Sequence, residues 1–153
     1  MSQATSEGAR TPQPVLGLYD RPMWESIRER AMKLQCCAEC GGFQYPPAPV
    51  CVHCLSSKLE WRVLSGRGTI ISWVVFHKSY LDAYPAPYNV IAVRLAEGPV
   101  MISNLAPPLP EGDPPGNVTG SWIGKSVRLT YVTMPDELVL PRFTIDEGEL
   151  KQT

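Results

Sequence analysis

Cys37-Ala-Glu-Cys40 and Cys51-Val-His-Cys54 are two CxxC pairs separated by ten residues, and they restrict the fold more than anything else in the chain. Each pair can make a tight knuckle in which both sulfurs face one point while the following backbone N–H groups donate to them. Gly41, directly after Cys40, supplies the freedom such a turn needs. Four thiolates can then surround one Zn²⁺. Four small buried apolar residues would account for the cysteines but not for their pairing, and five cysteines are an odd number for a pure disulfide framework. The interval of ten is shorter than the roughly 15–20 residues usual between such pairs. Residues 36–56 hold all five cysteines with Gly41, Gly42, Pro46, Pro47 and Pro49 and show no apolar period, so something other than a hydrophobic core must order them.

A closed four-cysteine site leaves no position for water or substrate, whereas catalytic zinc usually keeps three protein ligands and favours His or carboxylate. The expected cofactor is therefore one structural Zn²⁺ per chain. Cys36 makes only a C-x3-C with Cys40 and has no histidine at fixed spacing to lower its pKa, so it reads as a bystander. His53, inside the second knuckle, reads as a non-ligand because four thiols already suffice. His77 reads as a polar residue at a strand end. No Ser-His-Asp order, phosphate loop, dinucleotide fingerprint or spaced carboxylate pair stands out, and no catalytic residue is assigned.

The rest of the chain divides into a flexible tail at 1–19, an amphipathic helix at 20–35, the ribbon at 36–58, a barrel at 59–146 and a second tail at 147–153. Trp24, Ile27, Ala31 and Leu34 recur at i, i+3, i+7, i+10, which places a helix over about 21–34, with Asp20 able to cap it and Pro22 tolerated in its first turn. From Trp61 onward β-branched and aromatic residues bounded by Gly, Pro and Asn predict strands at about 61–65, 67–79, 88–97, 99–105, 126–133 and 138–145. In the second of these, Ile71, Trp73 and Val75 alternate with Ile70, Val74 and Phe76, so both faces are apolar, as in a strand shared by two sides of a small barrel or lining a groove. Five prolines in residues 106–117 forbid a helix and predict a surface loop. The fold class is mainly β with an N-terminal helix.

Composition then excludes whole classes of function. Lys+Arg 14 against Asp+Glu 15 gives a formal charge of −1, and a Zn²⁺ with four thiolates (+2 and −4) would take it to −3. Such a chain has no field to attract polyanions or anionic membranes. Trp73, Phe76 and Tyr88 could line a groove or a partner contact, or stack bases as in an OB-fold that binds single strands; core packing is the plainer use of these rings. The opening MSQATSEGAR lacks the apolar run of a secretory signal, and Thr69–Phe76 falls far short of the ~20 residues that span a bilayer, so a cytoplasmic protein with reduced thiols is expected.

Helix, CxxC ribbon and short barrel follow one another, and the phrases along them are distinctive: Leu34-Gln-Cys-Cys-Ala-Glu-Cys-Gly41, Tyr45-Pro-Pro47, Cys51-Val-His-Cys54, Ser65-Gly-Arg-Gly-Thr-Ile70, Pro87-Tyr88, Gly98-Pro-Val-Met-Ile-Ser-Asn-Leu105 and Ile123-Gly-Lys-Ser-Val127. With them the chain closely resembles, over about residues 20–145, the thiolase-associated zinc-ribbon/OB-fold family, also called the domain-of-unknown-function-35 family. The resemblance implies a helical arm, a rubredoxin-like ribbon ligating zinc through Cys37, Cys40, Cys51 and Cys54, and an OB barrel. It also implies a non-catalytic partner of a thiolase-fold enzyme (thiolase, acyltransferase or retro-aldolase) or of a hydratase, with acyl-CoA at the shared interface; homo-oligomerisation stays open. Leu55 stands where a glycine often follows the second knuckle, and the Pro-rich loop stands where OB folds often carry a helix.

Overall fold

A computed structural model describes residues 10–110 and 121–149. The ends of the two expected tails (1–9 and 150–153) and most of the Pro-rich loop (111–120) lie outside the described residues. Three layers follow one another. Helix α1 (Arg21–Arg28) leads into a three-stranded antiparallel sheet of β1 (Lys33–Cys37), β2 (Phe43–Gln44) and β3 (Leu59–Val63), in the order β2-β1-β3. The five strands β4 (Arg67–Phe76), β5 (Tyr88–Leu95), β6 (Val100–Ser103), β7 (Ser126–Thr133) and β8 (Val139–Ile145) then form a second antiparallel sheet, in the order β6-β5-β4-β7-β8.

The helix is half the expected length. It stops at Arg28 in a Schellman turn, with Arg30 left-handed at φ 58°, Arg30 N–H donating to Ile27 O at 2.9 Å and Ala31 N–H to Ser26 O at 3.0 Å. An arginine in that conformation is disfavoured by about 1–2 kcal/mol, but its guanidinium donates to Tyr131 O at 3.1 Å and Thr133 Oγ1 at 2.8 Å on β7. The helical spacing of Ala31 and Leu34 concealed a second periodicity: Met32, Leu34 and Cys36 alternate into the core as a strand. Asp20 occupies the N-cap without a side-chain bond. The apolar face of α1 is covered by its own chain, with Met23 and Ile27 buried against β1 and β8, Ile27 to 1% exposure. Among the described residues, neither side chain is left open to a partner.

The barrel closes where β6 runs past β8. Leu105 bridges Phe143, Ala106 N–H donates to Phe143 O at 2.7 Å, and the Ser103 hydroxyl donates to Pro141 O at 2.9 Å. Ile70, Ile91, Val93, Leu95, Met101, Val127 and Phe143 fill it. The two-faced strand resolves into two parts. A bulge between Ile70 and Ser72 resets the alternation of β4; before it the strand pairs with both β5 and β7, while after it the ladder with β7 has ended and Trp73–Phe76 pair with β5 alone. That leaves Val74 and Phe76 exposed. The strand ends at Phe76 rather than 79, and residues 77–87 form a loop.

The described part of the first tail is docked rather than loose. Thr11 is 3% exposed, and Gln13, Pro14 and Leu16 line a 430 Å³ cavity together with Trp24, Arg28 and the β7–β8 turn.

Candidate metal centre

The two knuckles are near copies of one another. Cys37 ends β1; Gly41 N–H donates to Cys37 O at 2.8 Å, and Cys37 N–H to Gly42 O at 2.9 Å. Fourteen residues on, Leu55 N–H donates to Cys51 O at 2.9 Å and Cys51 N–H to Ser56 O at 2.8 Å. Both turns need a left-handed residue at the fifth position. Gly41 supplies φ 73° and Leu55 φ 63°, so leucine reproduces the glycine geometry with backbone strain and its side chain in solvent.

The knuckles bring the four thiols together. Cys37 Sγ lies 3.6 Å from Cys54 Sγ, Cys40 Sγ lies 3.6 Å from Cys51 Sγ, and all four sulfurs fall within 4.8 Å of one another. A tetrahedron with 2.3 Å Zn–S bonds has edges of about 3.8 Å; the cluster fits one metal ion. Backbone donors converge on every sulfur: Cys40 and Glu39 N–H on Cys37, Gly42 N–H on Cys40, Cys54 and His53 N–H on Cys51, and Ser56 N–H on Cys54.

Those donors divide the thiols into two kinds. The Cys40 N–H, outweighing burial, brings Cys37 down to about 6. On Cys54 the Ser56 N–H pulls downward, but the bond to Cys37, burial and the other two thiols outweigh it and leave it at about 12. Cys51 is lowered, its burial overcome by the Cys54 and His53 N–H groups. Cys40 is raised: Gly42 N–H acts against the rise, and the bond to Cys51 with burial prevails. Each 3.6 Å contact therefore joins a proton-poor sulfur to a proton-rich one, and a metal ion takes the place of the shared protons.

The remaining candidates fall elsewhere. Cys36 neighbours Cys37 on a strand, so its side chain turns to the opposite face, buried, with Sγ 3.5 Å from Gly41 O. His53 braces the first knuckle: Nε2 lies 3.2 Å from Phe43 O, and a Cβ on Gly42 would stand 2.6 Å from the ring. His77 is exposed just beyond β4. Phe76 and Tyr88 stack at 5.2 Å and 9°, with Tyr80 edge-on to Phe76 at 6.0 Å, whereas Trp73 lies apart, packed on Trp122 at 5.2 Å.

Two residues went unnoticed in the sequence. Gln35 and Gln44, paired across β1 and β2, are both buried. Gln35 Oε1 accepts from Gln44 Nε2 and Ala48 N–H, each at 2.8 Å, while Gln44 Oε1 accepts from Val52 N–H at 2.9 Å and its amide donates to Val50 O at 3.2 Å. This polar network orders the 45–52 loop, the work that hydrophobic residues do not do there.

Known proteins share this architecture. The family described as "ChsH2, rubredoxin-like zinc ribbon domain" matches residues 24–60, and "ChsH2, C-terminal OB-fold domain" matches residues 61–132. A probable enoyl-CoA hydratase alpha subunit of Thermomonospora curvata is 31% identical over 135 residues, 88% of this chain, and a DUF35 domain-containing scaffold protein of Pyrococcus furiosus is 32% identical over 89 residues, 58% of this chain. The chain spans 40% and 65% of those relatives' lengths. A solved chain titled "Ltp2-ChsH2(DUF35) aldolase" superposes with a TM-score of 0.73 at 29% identity, covering 87% of this chain and 98% of that one. Ribbon, barrel and matched relatives agree: the chain belongs to the DUF35 family of rubredoxin-like zinc-ribbon and OB-fold proteins.

Proposed function

We propose that this chain is a non-catalytic accessory subunit of a thiolase-fold enzyme, whether thiolase, acyltransferase or retro-aldolase, in acyl-CoA metabolism. It organises the complex and helps shape the channel for the acyl-CoA. The likeness to the ChsH2(DUF35) chain of an aldolase, over nearly all of that chain, carries this reading. The relatives named as a hydratase subunit and a scaffold protein support it. A metal held by Cys37, Cys40, Cys51 and Cys54 has all four positions filled by protein, so its role is to staple the ribbon rather than to activate water. The rings of Phe76 and Tyr80, both exposed, with half-buried Tyr88 stacked on Phe76 and exposed Leu81 next in the chain, are the surface offered to the partner. For stacking nucleic-acid bases the same rings are poorly disposed, since Phe76 and Tyr88 already cover one another.

Co-expression with a thiolase-fold protein tests the reading. A stable complex is expected, with acyl-CoA turnover that neither the isolated chain nor the depleted partner matches. Tyr80→Glu, at a position 67% exposed, is expected to weaken the complex and leave zinc content unchanged. Thioester cleavage by the chain alone, or a partner working at full rate without it, overturns the proposal.

A further inference from the structure

The outer face of the barrel's central strands carries an arrangement that neither the metal centre nor the ring cluster uses. Ile70 on β4, Val93 and Leu95 on β5 and Val127 on β7 are buried, and a Cβ on Gly68 would meet Val93, so alternation sends Arg67, Thr69, Arg94, Ser126 and Arg128 outward. The register sets Thr69 between Arg94 and Ser126, and Arg67 directly opposite Arg128. Arg67, Thr69, Arg94, Ser126 and Asp146 line an open cavity of 330 Å³ there.

Like charges opposite one another on a sheet are destabilising. Asp146 relieves Arg128, with Oδ2 3.0 Å from Nε. Among the described residues no carboxylate forms an ion pair with Arg67 or Arg94. Two guanidiniums flanking a hydroxyl at the mouth of a cavity, in a chain of formal charge −1, are a local concentration that overall composition does not produce. A guanidinium presents a planar fork of N–H donors that matches phosphate oxygens in pairs. We propose that this cavity binds a small molecule through a phosphate or diphosphate group, held between Arg67 and Arg94 with the Thr69 hydroxyl as a further donor.

The patch suits a single phosphoryl end group rather than a polynucleotide. The stacking rings lie at the far end of β4, nine residues from Arg67, which is roughly 30 Å of strand. A single-strand groove needs rings and cations side by side along one track.

Calorimetric titration of the full zinc-loaded chain alone with inorganic phosphate, pyrophosphate and adenosine diphosphate at low salt tests the site, and its outcome is independent of the accessory role. Saturable one-to-one binding is expected. Arg67→Gln and Arg94→Gln should each weaken it at least about tenfold. Asp146→Asn should tighten it by removing the competing carboxylate, and Lys78→Gln at the opposite end should leave it unchanged. Circular dichroism and zinc content check the fold of each variant, and Arg94→Lys, which keeps the charge but not the fork, should bind between wild type and Arg94→Gln. Adenosine diphosphate binding more tightly than phosphate assigns an organic phosphate ester, and equal affinity assigns the free anion; either supports the site. No saturation by any of the three, unaltered affinity in both arginine-to-glutamine variants, or tighter binding of a single-stranded oligonucleotide overturns it.

Discussion

The phenol of Tyr131, on β7 of the barrel, accepts the backbone N–H of Met32, just before β1 of the ribbon sheet, at 2.7 Å across 99 residues of chain. Met32 is buried, so without that oxygen its N–H would have neither water nor a strand partner. With the Arg30 guanidinium on Tyr131 O and Thr133, it fixes the ribbon on the barrel at the point where the chain leaves α1. Tyr131→Phe should therefore cost about 1–3 kcal/mol in denaturant unfolding, the penalty of an orphaned buried donor, without loss of zinc.

The described N-terminal segment should detach in acid. Thr11 N–H donates to Asp136 Oδ2 at 2.8 Å and Gln13 Nε2 to the same oxygen at 3.2 Å. Burial pushes the Asp136 carboxyl up, but the Thr11 donors and the N–H groups of Asp136 and Leu138 outweigh it and hold the value below the ordinary one. A depressed carboxyl contributes stability that is fully present above its unfolded value of about 4 and is lost as pH falls through its folded value. Amide exchange around residues 11–16 should accelerate as pH drops below about 4, after correction for intrinsic rates. Asp136→Asn should show the same opening at neutral pH.

What the sequence disclosed depended on whether one periodicity or two could be read from the same residues. The barrel strands stood out because Val127, Leu129 and Tyr131 alternate with Arg128 and Thr130, and the knuckles because cysteine pairs have few other uses. The end of α1 was hidden because Leu34 fits both a helical and a strand period, and the residue that ends the helix is an arginine held left-handed by bonds to residues a hundred positions away. Nothing local could reveal that. Gln35 and Gln44 were invisible for a similar reason, since each is satisfied by the other and by the 45–52 loop that follows them.

The Gly66-Arg-Gly-Thr phrase owes its pattern to two different constraints. Gly66 is left-handed at φ 79°, whereas a Cβ on Gly68 would lie 2.5 Å from Val93 Cγ1 and 3.0 Å from Arg94 O. Gly68→Ala should cost about 1–3 kcal/mol by forcing β4 and β5 apart. The same change should weaken phosphate binding, because Arg94 O is among the atoms displaced.

The matched knuckles allow a paired test of backbone strain. Leu55 is 75% exposed and a Cβ on Gly41 meets nothing within 4 Å, so substitution at either position alters little beyond the left-handed backbone. Gly41→Leu should destabilise the ribbon by about 1–2 kcal/mol. Leu55→Gly should relieve a similar strain, partly offset by about 0.5–1 kcal/mol of added unfolded-state entropy, and so be neutral or mildly stabilising. Thermal unfolding of the zinc-loaded protein measures both.

Metal loading should follow the division of the four thiols into low and high proton affinity. Elemental analysis of reduced, freshly purified protein should find about one zinc per chain, since the cluster has one centre and four donors. Cys40→Ala or Cys51→Ala should lose the metal together with ribbon order, because ligation and folding are coupled. Cys36→Ala should keep it, since that thiol faces away and bonds toward Gly41 O. Binding must expel the protons still held between Cys37 and Cys54 and between Cys40 and Cys51, so apparent zinc affinity should rise with pH through the neutral range, and the heat of binding should vary with the buffer that receives the protons. A pH-independent affinity would mean that the thiols are already fully ionised in the metal-free chain, contrary to the raised values of Cys40 and Cys54.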